Sequence, residues 1–131
     1  MSEPLDRARE LLASDPRKCD ELAALVCGWR VERDRDGSRY WFRSGGGTVA
    51  AEPPPFVSHD QRDPMRWLYR GEMIEALEQA GISGMSVELY PGTWPHVDFC
   101  PREGIWKSQK ADSLPHALFL ALVASGKVVI P

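Results

Sequence analysis

DPMRWLYRGEMIEALEQAG, residues Asp63 to Gly81, carries its own start signal, apolar face and stop signal, and the rest of the chain is read outward from it. Asp63 can accept the unpaired N–H groups of a first turn, Pro64 suits the first helical position, and Gly81 can take the left-handed conformation just past the end. At about 100° per residue, Met65, Tyr69, Met73, Ala76, Leu77 and Ala80 share one arc, which Ile74 and Trp67 extend around one side. Glu72, Glu75, Glu78 and Gln79 hold the other. The stretch therefore predicts a one-sided helix with a wide buried face. Arg62, Arg66 and Arg70 recur at its entry, so that Arg66 and Arg70 lie one turn apart on one flank with Trp67 beyond them.

A chain of 131 residues, 43% of them hydrophobic, has the size of a single domain, 1–131, with one core. Sixteen basic against 19 acidic residues leave a net charge of −3, which argues against reliance on sequence-independent phosphate attraction. Cys19, Cys27 and Cys100 lack the paired spacing of a zinc site or a secreted disulfide framework and read as reduced, intracellular thiols. No apolar run approaches the roughly 18 residues that span a bilayer, and MSEPLDRARE is charged where a signal peptide needs an apolar core. The expected location is the cytoplasm, with no membrane partner.

Residues 1–14 predict a short N-terminal helix capped by Ser2, with Leu5, Ala8, Leu11 and Leu12 at helical spacing. Asp15 caps a second helix before Pro16; Cys19, Leu22, Ala23 and Val26 make its stripe and Gly28 its stop. Trp29 to Arg33 and Ser38 to Arg43 then form a hairpin about the Asp36-Gly37 turn signal, with Trp29 and Val31 on one face, Tyr40 and Phe42 together on a face of the second strand, and Trp41 opposite to them. Its five arginines are interleaved with acids and read as a solvated surface with mixed cross-strand pairs. Residues 44–62, Gly-rich and then Pro-rich, read as a long connection without a core of its own, in which His59 beside Asp60 is expected to be exposed.

After Gly81 the period changes to two. Met85, Val87 and Leu89 face one way; beyond Pro91-Gly92, Val97 and Phe99 face inward and His96, Asp98 and Cys100 outward; and Pro101 to Gly104 turns the chain into Ile105–Gln109. This is a three-stranded antiparallel meander. A closing helix opens at Asp112 or Ser113, has Pro115 in its first turn and stops at Gly126. Its apolar residues run almost all the way round, so it belongs between a sheet and another helix. Lys127 to Pro131 is a short β-prone tail. The whole reads as α+β: an antiparallel sheet, hairpin plus meander, covered by helices in an α/β/α sandwich.

The order of elements resembles the phage ABA-sandwich domain family over roughly residues 15 to 126. The resemblance rests on Gly28-Trp29 after an N-terminal helix, the Ser58 to Asp63 entry to a tryptophan-bearing helix, and Ile105-Trp106 leading to an Ala-Leu-rich closing helix after Ala111-Asp112-Ser113. It implies a small phage or prophage protein with helix layers over an antiparallel sheet, and supplies no catalytic residues.

His96-x-Asp98-x-Cys100 is the one constellation with a chemical look, because alternate strand residues project from one face about 7 Å apart. A metal needs closer convergence and, when catalytic, three protein ligands, so no metal and no cofactor are expected. A small hydrolase using His96, Asp98 or Cys100 is one alternative, and a nucleic-acid-binding module another. Gly45-Gly46-Gly47 has neither the Lys nor the Ser/Thr of a phosphate loop. The leading expectation is a non-enzymatic accessory protein that binds a host or phage macromolecule, a protein before a nucleic acid, with inhibition of a host defence system as its most concrete form. Its contact residues would be Arg62, Arg66, Trp67, Arg70 and Trp94, because arginine beside tryptophan suits an interface hot spot.

Overall fold

Prolines open the first two helices, α1 (Pro4–Ser14) and α2 (Pro16–Val26), and Asp15 joins them. Its backbone N–H closes α1 onto the Leu11 carbonyl at 2.7 Å, while its carboxylate accepts from the Lys18 N–H at 3.2 Å and caps α2. The computed structural model describes residues 3–43, 49–88, 95–101 and 107–131. Ser2, the expected first cap, lies outside them; Glu3 stands at the N-cap of α1 without a side-chain hydrogen bond.

The hairpin forms as β1 (Trp29–Arg33) and β2 (Arg39–Arg43), in a register that sets Val31 opposite Trp41 and Glu32 opposite Tyr40. Directly opposed residues share a face. Trp29, Val31 and Trp41 therefore face the core, and Tyr40 and Phe42 face outward, with the Tyr40 hydroxyl donating to Glu32 at 3.0 Å. Trp41, on the face opposite to Tyr40 and Phe42, is buried in the core. A third strand, β3 (Val49–Ala50), adds to β2 from within the 44–62 connection. That connection also delivers Phe56 and Val57, both fully buried, so its Pro-rich half is part of the core rather than a spacer.

Helix α3 (Arg66–Gln79) begins later than the Asp63 cap predicts. Asp63 accepts the Met65 N–H at 2.8 Å, and its carbonyl accepts the Arg66 N–H at 3.1 Å, so the Asp-Pro entry is a tight turn that hands over to the helix at Met65. The buried face is Arg70, Met73, Ala76 and Leu77. Two members of the expected arc are not in it: Met65 is 46% exposed and Trp67 59%. Arg70 takes the corner that Trp67 was expected to fill. Glu72, expected on the solvent side, is largely covered and pairs with Arg43.

The meander follows as β4 (Ile82–Glu88), β5 (His96–Pro101) and β6 (Lys107–Lys110), antiparallel in that order, with a bulge between Ile82 and Gly84. Its turns, with Leu89 and the stretch from Tyr90 to Trp94, lie outside the described residues, as does Ile105-Trp106. The strands β1–β3 and β4–β6 make two sheets, and helices pack against strands of both, an α+β arrangement. Helix α4 (Leu114–Ala124) is capped by Ser113, and its residues from Leu114 to Val123 are buried apart from His116. It packs on β5 and β6 on one side and on α1 and α3 on the other, which is why its sequence is apolar nearly all round. Past its end, Gly126 at φ 81° lets the Lys127 N–H return to Leu122 and the Gly126 N–H to Val123, both at 3.0 Å. The tail 127–131 is thereby folded back with Val128 and Ile130 buried, and among the described residues it pairs with no strand of either sheet.

Candidate functional site

The entry to α3 is built on a buried carboxylate. Asp20 sits on the buried face of α2 beside Cys19, Ala23 and Ala24. It accepts the Val57 N–H at 2.7 Å, the Ser58 N–H at 2.9 Å and the Ser58 hydroxyl at 2.6 Å. Burial pushes its carboxyl above the ordinary range, and the three donors pull it back only in part. The Pro-rich segment is thus tied to α2 at the point where it turns toward α3.

One residue further on, His59 is 7% exposed, not the open loop histidine expected from its neighbours. Arg70 Nε lies 3.2 Å from His59 Nε2, and His59 Nδ1 lies 2.9 Å from the Pro55 carbonyl. A guanidinium can only donate, so Nε2 is the acceptor and the single ring proton sits on Nδ1, donating to Pro55. The ring is neutral. Burial lowers its pKa, and the Arg70 charge lowers it further. Tyr69 packs against both His59 and Phe56, at 5.3 and 5.1 Å between ring centroids.

Arg70 is 4% exposed, and its Cζ lies 5.0 Å from the centroid of the Trp67 ring; Arg66 lies over the same ring at 5.7 Å and donates to the Asp63 carbonyl at 3.1 Å. An exposed indole therefore has two guanidiniums over its ring, one of them anchored below the surface. Beside it, Met65 and Leu68, the latter 38% exposed, stand one turn apart, and Gly71 leaves bare helix backbone one turn after Trp67, with no atom near the place a side chain would occupy. Arg62 is exposed at the edge. Of the five contact residues read from sequence, Arg66, Trp67 and Arg70 are brought together, Arg70 as a buried support; Arg62 is exposed in the turn before the helix, and Trp94 lies outside the described residues.

The meander constellation is looser. His96 Nε2 and Asp98 Oδ2 are 3.6 Å apart, beyond hydrogen-bond length, and Cys100, expected on an open polar face, is buried opposite Gly84. Among the described residues no three His, Cys, Asp or Glu side chains converge as metal ligands. Burial pushes the Cys19 and Cys27 thiols up to about 12, so both stay protonated and act as packing.

Asp20 and the His59–Arg70 pair escaped the sequence reading. The available signal was an acid in line with the small residues of the α2 stripe, which marks a buried carboxylate in need of donors. Comparison of the chain with known protein families, curated proteins and solved structures found no match.

Proposed function

We propose that the chain is a non-enzymatic binding protein whose contact surface is the entry of α3, with Trp67 as the central anchor and Arg62 and Arg66 as its cationic border. The observation that carries this reading is an indole 59% exposed whose ring lies against a guanidinium that is itself buried. A contact of this kind restricts the rotamers of the ring before binding, and so reduces the ordering cost, on the order of 1 kcal/mol per side chain, that association would otherwise consume. Tryptophan and arginine at one spot are the residues that dominate interface energetics. The partner class is a protein surface that offers an apolar pocket with carboxylates around it. The phage ABA-sandwich resemblance adds that the partner is a host or phage macromolecule in the bacterial cytoplasm, with a host defence component as the most concrete candidate.

The test is affinity capture from a bacterial lysate with the wild-type chain, Trp67→Ala, and Arg62→Glu combined with Arg66→Glu. Arg70 is left intact because a buried charge reversal would disturb the fold. A stoichiometric protein held by the wild type and lost by both variants, with thermal unfolding unchanged, is the expected result. A partner that both variants retain, and that His96→Ala releases, would move the site to the meander and end this reading.

A further inference from the structure

Away from the α3 entry, a cleft of about 280 Å³ opens where α1 crosses the end of β6 and the start of α4. Its apolar wall and floor are Leu12 from α1 and the buried Leu120 from α4, and its polar groups are Arg9, Lys110, Asp112 and His116. A concave apolar site with a few convergent polar groups is the usual form of a small-molecule pocket, and this volume suits a ligand of modest size.

The lining has a charge logic. Two fixed cations face one carboxylate, so the cleft favours a monoanion, while Asp112 opposes a more highly charged one. Arg9 is shared with Asp6 at 3.7 Å, but both side chains are more than half exposed and such a pair is easily exchanged. His116 is half-buried, and among the described residues its ring nitrogens have no hydrogen-bond partner; its backbone N–H alone is engaged, by the Ser113 hydroxyl at 3.4 Å. Burial lowers its pKa, with Asp112 and Asp20 opposing only in part, so at neutral pH the ring carries one donor and one acceptor. A half-buried ring whose nitrogens have no protein partner among the described residues is open to a ligand oxygen.

We infer that this cleft binds a small monocarboxylic acid with a short aliphatic body, the carboxylate lying between Arg9 and Lys110 and bonded to the His116 ring, and the chain lying against Leu12 and Leu120. This site is independent of the α3 surface and does not rest on the function proposed for it. A ligand of about eight non-hydrogen atoms is limited to roughly millimolar affinity at ordinary ligand efficiency. Binding of an anion beside His116 stabilises the imidazolium, so the ring's titration moves to higher pH when the ligand is present.

The experiment is an NMR titration of the full chain with hexanoate, reading leucine methyl and histidine ring signals, with 1-hexanol and hexylammonium as probes that lack the carboxylate. Hexanoate should saturate at about millimolar concentration, shift the methyls of Leu12 and Leu120, and raise the His116 titration midpoint, while the other two probes bind at least about tenfold more weakly. Arg9→Glu with Lys110→Glu, both at exposed side chains, should weaken hexanoate by about tenfold or more without lowering thermal stability. Ala13→Trp, at an exposed position of the cleft wall, should block binding by filling the space. Hexanol binding as well as hexanoate, an unmoved His116 midpoint at saturation, or full affinity in the charge-reversed variant would each refute the inference. So would the absence of any saturable shift at these residues.

Discussion

The hydrogen bond from Arg70 to His59 supports the exposed indole, and a double-mutant cycle measures it. His59→Phe keeps the aromatic volume beside Tyr69 but removes the acceptor, leaving a guanidinium Nε stranded below the surface. Hydrogen bonds to charged groups contribute about 1.5–3 kcal/mol, and a buried donor left unpaired costs a similar amount, so a loss of about 2 kcal/mol is expected. Arg70→Met keeps the apolar stem. It gives up the same bond and the contact with Trp67, about 0.5–1 kcal/mol at an exposed ring, but recovers the desolvation of the charge, for a net loss of about 1 kcal/mol. In the double variant no charge is stranded, and the loss should again be about 1 kcal/mol. The coupling is then about 2 kcal/mol. Urea unfolding followed by far-UV circular dichroism is the assay, because tryptophan emission would report the altered stacking as well as unfolding. Losses that add to within about 0.3 kcal/mol would show that the bond contributes nothing and that Arg70 is not held in place by His59.

The same pair sets a pH dependence. Because the folded-state pKa of His59 is depressed, the unfolded chain binds the proton first, and stability falls as pH drops below the ordinary histidine value of about 6.5 and on through the lower folded value. The groups facing His59 are Arg70, Asp20 and Asp63, and His116 contributes with the same sign, whereas the raised Asp20 and Glu72 lose stability in the opposite direction as pH rises above the unfolded carboxylate range. Thermal melts from about pH 7.5 to 5.5 (roughly one unit either side of that value) should therefore show a shallower acid loss in His59→Phe than in wild type; equal slopes would mean the ring is not buried neutral. Gly126→Val should cost on the order of 1 kcal/mol or more in urea unfolding, because Gly126 at φ 81° is what lets the tail bury Val128 and Ile130, and an unchanged midpoint would contradict that. Gly71→Ala should instead stabilise by about 0.5–1 kcal/mol, since the site is mid-helix, exposed and open, and destabilisation would show a packing role that the geometry does not contain.

Which parts were legible depends on the range of the forces involved. Helix ends and the hairpin turn were read correctly at Asp15, Gly28, Gly37, Gly81 and Gly126, because each is decided by backbone geometry within a few residues. The sandwiched position of α4 was also readable, since a helix apolar all round has no other stable place. The Asp63 cap failed for a local reason: the same carboxylate that can cap a helix can close a turn two residues on, and the turn won. The long-range pairs were not readable. Asp20 meets Val57 and Ser58 across nearly forty positions, and Arg70 meets His59 across eleven, so no spacing rule links them.

Those two long-range pairs explain why a proline-rich stretch can support a binding surface at all. A run such as Pro53-Pro54-Pro55 is stiff but has few donors, and by itself it has no means of fixing its orientation against a helix. Asp20 supplies the missing tie by accepting the first free N–H groups after the prolines, and this sets the Pro55 carbonyl where it can accept from His59. His59 is thereby held in the one tautomer that can receive Arg70, and Arg70 in turn holds Trp67. The order of dependence runs from α2 to the exposed indole, through the buried side chains of Asp20, His59 and Arg70. Asp20→Ala should consequently do two things that a simple core defect would not do together. It should lower stability by about 2–4 kcal/mol, for the loss of three hydrogen bonds at a buried site. It should also release Trp67, seen as a rise in indole mobility by fluorescence anisotropy decay at temperatures where the chain is still folded. A variant that loses the stability but keeps the indole fixed would place the support of Trp67 within α3 alone, and the α2 carboxylate would then be a structural tie with no part in the site.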